Sequence, residues 1–425
     1  MTVPDPRLAI EAIYRIESPK LIAKLARMVR DVGLAEELAQ DALVAALEHW
    51  PSEGVPDNPG AWLMTAAKNR AINALSRRKR FERAGDVLGR ELESEERQDP
   101  APLLEAAIDD AVGDDLLRLI FIACHPVLSP EARLALTLRL LCGLTTPEIA
   151  RAFLVPEPTI AQRIVRAKRT LAQERVPFEL PRGEELADRL SSVLEVLYLL
   201  FNEGYAATSG NDWMRPALCD EALRLGRILA TLVPEEPEVH GLVALMELHA
   251  SRTPARDGKG GEPVLLAEQD RTLWDRLLVR RGLAALDRAL TLCARDRLPG
   301  AYTLQASISA CHARAGSVSE TDWPRIASLY RELGAMTESP VVELNRAVAV
   351  AMAEGPAAGL EILDRLQAEP ALKAYHLLPA ARGDLLEKLG RKSEATAEFE
   401  RAASLTHNER ERVVLLDRAA ACSLQ

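Results

Sequence analysis

The chain has 425 residues, of which 27% are charged and 4% aromatic, with a formal net charge of −10 at pH 7. This length allows two or three domains, and a hydrophobic content of 48% is that of a soluble globular protein. No apolar run reaches membrane-spanning length and the N-terminus lacks a signal-peptide pattern, so we expect a cytoplasmic protein with no membrane partner. Because Ala and Leu dominate and β-branched runs are short, the composition predicts an all-α fold.

The six cysteines and seven histidines are dispersed along the chain. No C-x-x-C pair and no zinc-ligand spacing is present, so we expect reduced thiols and no metal site. The sequence also lacks a nucleophile elbow, a Walker loop, a dinucleotide fingerprint and an H-E-x-x-H motif. It therefore predicts no catalytic residue and no cofactor, and favours a protein that is not an enzyme.

Residues 31–50 predict a strongly amphipathic helix with Leu43, Leu47 and Trp50 on its apolar face. The first half of this helix carries Glu36, Glu37, Gln40 and Asp41. From the residues alone, these carboxylates are explained as solvated surface near the positive end of the helix dipole.

A loop rich in proline and glycine, residues 51–60, precedes a helix that becomes steadily more basic. From Ala66 to Arg83 there are seven basic residues and one acidic residue, a net charge of +6. Such a stretch beside Trp62 suits a phosphate backbone and unstacked bases. A core tryptophan and a solvated helix end explain Trp62 equally well.

Residues 84–115 invert this charge, with eleven acidic and two basic residues and a net charge of −9. We interpret this segment as a flexible acidic linker between two helical modules. A sharper hypothesis is that it competes with nucleic acid for the neighbouring basic faces.

Residues 144–171 predict two short helices joined by a tight turn. Thr145 and Glu148 have capping-box spacing, while Pro156 interrupts the first helix and Pro158 begins the second. The second helix has an apolar stripe of Ile160, Ile164, Ala167 and Leu171, and a polar face of Thr159, Gln162, Arg163, Arg166 and Arg169. This is the helix-turn-helix pattern, whose second helix enters the DNA major groove. An amphipathic hairpin with a solvated basic face is the alternative.

The chain beyond residue 177 is again helical, with a long predicted loop at residues 250–263. Near its end, small and apolar residues recur at the offsets of a tetratricopeptide repeat: Gly383, Leu386, Gly390, Ala395, Phe399 and Ala402. Residues 341–367 have a similar texture. We therefore predict degenerate helical repeats, whose concave side usually binds protein segments.

Three segments, in this order, resemble a bacterial sigma factor of the extracytoplasmic-function type: LAEELAQDALVAALEHW, NPGAWLMTAAKNRAINALSRRKR and LTTPEIARAFLVPEPTIAQRIVRAKRTL. The resemblance covers about residues 8–175, and LFNEGYAATSG is similar to the subgroup with a C-terminal tetratricopeptide-like domain. It implies a protein that binds core RNA polymerase and directs it to −10 and −35 promoter DNA. The C-terminal domain would modulate activity or bind a protein or small-molecule partner.

The resemblance also implies four parts, namely a region 2 domain at residues 1–83, the acidic linker at 84–112, a region 4 helix-turn-helix domain at 113–176 and a helical-repeat domain at 177–425.

Individual side chains receive roles from the same resemblance. The polymerase-binding residues would be Glu37, Gln40, Asp41 and Val44. The −10 region would be bound by Asn58, Trp62, Lys68, Asn69, Arg70, Arg77 and Arg78, with residues 53–59 capturing a flipped base. The −35 recognition helix would use Pro158, Thr159, Gln162, Arg163 and Arg166. Leu154 stands where the turn usually carries glycine, which predicts a looser turn.

Two other classes of protein fit parts of the sequence. A conventional helix-turn-helix repressor or activator with a helical sensor domain needs only residues 144–171. A helical-repeat scaffold protein would leave the basic helices incidental.

Overall fold

The computed structural model describes residues 6–86, 112–153, 155–181, 184–205, 214–256, 258, 264–293, 297–406 and 409–423. Within these residues the regular elements are helices and none is a strand, so the all-α prediction is confirmed. The chain divides into two compact units, Met1–Val196 and Leu197–Gln425. No helix in the described ranges is both long enough and apolar enough to cross a membrane.

The first unit contains α1 (Pro6–Val29), α2 (Val32–Glu53), α3 (Pro59–Asp86), α4 (Val112–Ala123), α5 (Pro130–Leu140), α6 (Thr146–Phe153) and α7 (Glu157–Gln173). Helix α8 (Glu184–Tyr205) begins in the first unit and ends in the second. Helix α3 runs three residues into the predicted acidic linker, and residues 87–111 of that linker lie outside the described residues.

Helices α1, α2 and α3 pack against one another. Asp31 caps α2 by accepting a hydrogen bond from the Leu34 N–H at 3.0 Å. Trp50 is buried as predicted, but Leu43 and Leu47 are only half-buried. Most of the buried residues of this helix are instead small, among them Ala35, Ala39, Ala42 and Ala46. Small side chains allow neighbouring helices to approach closely, so the leucines lie at the margin of the contact.

The loop before α3 is shorter than predicted, because α2 continues through Pro51 to Glu53. Gly54 ends that helix with a φ of +87°, a conformation that glycine adopts without strain. Residues 54–58 are irregular.

Helices α4 to α7 form the second module of this unit. The Ser129 hydroxyl accepts the Ala132 N–H and caps α5, and Gly143, with a φ of +65°, follows that helix. The predicted capping box of α6 is present, because the Glu148 carboxylate accepts the Thr145 N–H at 2.7 Å. The buried residues of α7 are the predicted stripe, Ile160, Ile164, Ala167 and Leu171. Leu154, which the sequence predicts to lie in a looser turn, is outside the described residues.

The second unit is a series of helix pairs: α9 (Pro216–Leu232), α10 (Pro237–Ala250), α11 (Arg276–Cys293), α12 (Ala301–Arg314), α13 (Trp323–Thr337), α14 (Pro340–Glu354), α15 (Pro356–Leu366), α16 (Leu377–Lys388), α17 (Lys392–Leu405) and α18 (Glu409–Ser423). Short 3₁₀ turns lie at Thr253–Ala255, Arg271–Leu273 and Pro370–Leu372. Consecutive helices pack together from α13 to α18.

Glycines mark the close approaches within these pairs, as the repeat pattern predicts. A Cβ atom on Gly383 of α16 would lie 2.7 Å from Cε1 of Phe399 on α17. A Cβ on Gly359 of α15 would lie 2.6 Å from the carbonyl oxygen of Ala347 on α14. The six cysteines, all within the described residues, form no disulfide there, and all but Cys311 are buried.

Candidate nucleic-acid and polymerase interfaces

The predicted recognition-helix residues lie together on the exposed face of α7. Pro158, Gln162 and Arg166 are exposed, while Thr159 and Arg163 are half-buried. The Ile160 to Leu171 stripe buries the opposite face, so the polar face is fixed outward. Neither Arg163 nor Arg166 forms an ion pair with a carboxylate in the described part of the chain. Both guanidinium groups are therefore available to an external acceptor.

The predicted −10 residues extend from the loop into α3. The Asn58 side chain accepts the Ala61 N–H at 3.1 Å and so caps the helix. Trp62 is half-buried and contacts the buried Trp50 edge-on, with ring centroids 5.3 Å apart. Trp62 thus belongs partly to the core and keeps part of its ring accessible.

Further along α3, Asn69 is exposed, and Lys68 and Arg70 are half-buried. Arg77 and Arg78 lie on the helical backbone of α3, but their side chains are outside the described residues.

The predicted polymerase-binding residues lie on α2. Glu37 and Asp41 are exposed, and Val44 is 52% exposed. Gln40 is half-buried and donates a hydrogen bond to Glu36 at 2.8 Å. The result is an exposed apolar side chain close to two carboxylates.

Glu36, the third acidic residue of this cluster, is not solvated surface. Its side chain is buried, and its Oε1 atom accepts a hydrogen bond from Nε of Arg139 at 2.5 Å. Lys168 of α7 forms an ion pair with the other carboxylate oxygen. The solvated interpretation of Glu36 is therefore wrong, because two cations from the α4–α7 module compensate its charge.

Further ion pairs join α1 to the same module. Arg27 lies 3.5 Å from Asp115, and Arg15 lies 3.8 Å from Glu148. Beside these pairs, a groove of about 590 Å³ is lined by side chains that include Tyr14, Gln40, Val44 and Arg139. Burial and the Glu36 carboxylate raise the pKa of Tyr14. The three-helix module α1–α3 and the module α4–α7 are thus in direct contact.

The start of α8 is bound to the α4–α7 module by two buried arginines. Arg133 donates hydrogen bonds to Ser192 and to Glu195, the latter at 2.9 Å. Arg189 donates to the carbonyl oxygen of Phe121 at 3.0 Å. Sequence patterns gave no sign of these contacts, because the partners lie about sixty residues apart.

No metal centre is evident in the described residues, since nowhere in them do three or more His, Cys, Asp or Glu side chains form a possible ligand group.

Comparisons with known families and proteins agree with this arrangement. The sigma-70 region 2 family matches residues 13–81, which include most of α1–α3, and the sigma-70 region 4 family matches residues 118–171. A family of unknown function, DUF6596, matches residues 189–290. An uncharacterised protein of Rhizobium meliloti (strain 1021) is 42% identical over 396 residues, which cover 92% of this chain and 90% of that protein.

The region 2 match precedes the region 4 match along the chain. Sigma factors use these two regions to bring RNA polymerase to promoters. Families of this kind are non-enzymatic, DNA-binding regulators of transcription. The chain therefore belongs to the sigma-70 family, as a sigma factor of the extracytoplasmic-function type with a helical C-terminal extension related to DUF6596.

Proposed function

We propose that this sigma factor reads a −35 element with α7 and a −10 element with α3 and the loop before it. The observation that carries the proposal is the exposed face of α7, opposite a fully buried stripe. Arginine and glutamine side chains suit bidentate contacts with guanine and adenine, respectively. Arg163, Arg166 and Gln162 would read bases, while Pro158 and Thr159 at the start of the helix would lie near the phosphate backbone.

In region 2, the basic helix α3 would hold the phosphate backbone through Lys68, Arg70, Arg77 and Arg78. Asn58, Asn69 and the partly accessible ring of Trp62 would contact bases of the opened strand. The cap that Asn58 provides keeps the loop and α3 in a fixed relation. We place the domain limits at residues 1–83 and 113–176, which contain the two family matches.

Core RNA polymerase would bind α2 through Glu37, Gln40, Asp41 and Val44. An exposed valine on the same helix as the exposed carboxylates of Glu37 and Asp41 offers a small apolar contact beside negative charge, which suits a basic partner surface. Because polymerase and chromosomal DNA are in the cytoplasm, we propose that the protein works there. The C-terminal domain would modulate this activity or bind a partner of its own.

Transcription in vitro with purified full-length protein, core polymerase and a cognate promoter tests the proposal. The double substitution Arg163→Ala and Arg166→Ala should abolish dependence on the −35 element, because each bidentate contact contributes about 1–3 kcal/mol. Polymerase binding and the thermal unfolding curve should be unchanged. A control pair, Arg288→Ala and Arg314→Ala, removes the same charge from partly exposed positions in the second unit.

An unchanged footprint and transcript level in the α7 double variant would show that this helix does not read the promoter. Specific DNA binding without polymerase would instead favour the helix-turn-helix repressor, a class that leaves the region 2 match unexplained.

A further inference from the structure

Three buried arginines surround two aromatic rings in the second unit. Arg252, Arg256 and Arg271 are each 8% exposed. The guanidinium carbon of Arg256 lies 3.4 Å from the ring centroid of Tyr205, and that of Arg252 lies 5.9 Å from it. Arg252 and Arg271 lie 6.0 Å and 5.3 Å from the ring centroid of Trp274. Three positive charges are therefore concentrated in a space with little access to water.

Two of these arginines have clear structural roles. Arg271 donates hydrogen bonds to the carbonyl oxygens of His312 and Ala315, at 2.9 Å and 2.8 Å, and so holds the end of α12. Arg256 donates to the carbonyl oxygen of Tyr205 at 2.5 Å. These acceptors explain why both side chains are buried.

Arg252 is different, because its guanidinium group has no hydrogen-bond acceptor and no carboxylate partner among the described residues. Buried arginines elsewhere in the chain do have such partners: Arg133 pairs with Glu195, and Arg382 pairs with Asp364 and Glu398. A buried charge without a partner is costly. It is expected where a ligand supplies the opposite charge.

Other hydrogen-bond donors near Arg252 also lack partners. The Trp274 Nε1 atom and the Nε atoms of Arg252 and Arg271 are buried, with no acceptor in the described part of the chain. Indole and guanidinium groups donate hydrogen bonds and cannot accept them. The ring of Trp274 contacts both guanidinium groups, so these donors share one region. A partner that accepts hydrogen bonds and carries a negative charge would satisfy these donors and offset the local positive charge.

Two histidines beside the cluster respond to its positive potential. Burial, followed by Arg252 and Arg271, lowers the pKa of His312 to about 4. Burial, Arg252 and Arg256 hold the pKa of His249 well below its ordinary value. Both imidazoles are neutral at pH 7, and the unpartnered Nδ1 atom of His312 can serve as a further donor.

We propose that Arg252, Trp274 and Arg271 form a binding site for a small molecule that carries a carboxylate or phosphate group. The anionic group lies against the guanidinium of Arg252 and accepts hydrogen bonds from the indole N–H of Trp274 and from Nε of Arg271. The site falls within the part of the chain that matches DUF6596. It makes the C-terminal extension a small-molecule sensor, and this proposal is independent of how the promoter is read.

Thermal unfolding and calorimetric titration of the full-length protein test the site, with sodium phosphate and sodium acetate as probes and sodium chloride at equal ionic strength as reference. We expect a saturable rise in Tm with phosphate, acetate or both, beyond that with chloride. A response to phosphate alone assigns a phosphate ligand, and a response to acetate alone assigns a carboxylate. No response beyond chloride overturns the proposal.

Arg252→Met removes the unpartnered charge and keeps the length of the side chain. We expect at least a tenfold loss of anion affinity and, without anion, a Tm no lower than that of the wild type. The control Arg288→Met, at a partly exposed position, should keep the full response. Unchanged affinity in Arg252→Met overturns the site.

If Arg252→Met does not fold, Trp274→Phe decides, because it removes the indole N–H while keeping a smaller aromatic ring at the position. A severalfold weaker anion response supports the site, and an unchanged response overturns it.

Discussion

Glu36 connects two DNA-binding modules through a single buried carboxylate. Its side chain is 5% exposed, while its partners Arg139 and Lys168 are 23% and 22% exposed. The pairs are therefore only partly screened by water, and removing the carboxylate would leave two cations facing each other across a nearly buried position.

The substitution Glu36→Gln should lower the free energy of unfolding by about 3 kcal/mol, at the low end for a broken buried ion pair because its partners are partly solvated. Urea denaturation of the full-length protein measures this change. Glu37→Gln removes the same charge from the neighbouring exposed position, where we expect less than about 0.5 kcal/mol. Equal losses in the two variants would mean that the Glu36 contacts contribute nothing.

His312 should make stability depend on pH. Its pKa is about 4 in the folded protein, against an ordinary value of 6.5. Between these values the unfolded chain binds a proton that the folded chain does not, so stability is complete above pH 6.5 and is lost as the pH falls towards 4. The difference of about 2.5 pH units corresponds to roughly 3 kcal/mol.

Unfolding midpoints measured from pH 7 to pH 4 should therefore fall less steeply in His312→Asn than in the wild type. His49→Asn, at a position exposed to solvent, is the control and should follow the wild-type curve. Parallel curves for wild type and His312→Asn would contradict the prediction.

At the scale of helices, the features that were predictable depend on residues close in sequence. The cap at Ser129, the Thr145–Glu148 capping box and the buried stripe of α7 all follow from spacings of three or four residues. The buried face of α2 and the role of Glu36 were not predictable, because Arg139 lies 103 residues away. For the same reason, the sequence alone could identify the polar face of α7 that is turned away from the buried stripe but could not show that α2 contacts the region 4 module.

Two helical glycines should respond in opposite directions to an added methyl group. Gly383→Ala would bring a Cβ within 2.7 Å of the Phe399 ring, and such overpacking costs about 1–3 kcal/mol. In Gly334→Ala, the nearest atom is 3.8 Å from the new Cβ. The free energy of unfolding should therefore rise by about 0.5–1 kcal/mol, because alanine favours the helix over glycine. Chemical denaturation of both variants measures the two shifts, and equal signs would refute the close helix crossing at Gly383.

At the scale of the whole chain, the division into compact units does not coincide with the end of region 4. The first unit ends at Val196, inside α8, and the beginning of α8 supplies Ser192 and Glu195 to Arg133. The first turns of α8 are thus part of the support of the region 4 domain, although the resemblance placed them in the C-terminal domain.

A chain that ends at residue 176 should therefore unfold at a lower temperature than one that ends at residue 205. The shorter chain loses the hydrogen bonds that Ser192 and Glu195 accept from Arg133, and with them about 1–3 kcal/mol. Calorimetry of the two truncations measures the difference, with loss of α7-dependent transcription as a second readout. Equal unfolding temperatures would mean that α8 gives region 4 no support.

The contact between Glu36, Arg139 and Lys168 sets a thermodynamic cost on promoter binding. The names of the −10 and −35 elements place them about 25 base pairs apart, which at about 3.4 Å per base pair is roughly 85 Å. If α3 and α7 read the two elements as proposed, side chains that form ion pairs with one carboxylate cannot be held at both elements, and α2 and the region 4 module would separate when the chain binds the promoter. The free energy of this contact stabilises the form of the chain in which α2 and the region 4 module touch, and it opposes their separation. Glu36→Gln should therefore tighten binding of the polymerase holoenzyme to promoter DNA even as it lowers the stability of the free protein, and an unchanged promoter affinity would mean that the bound chain keeps the contact.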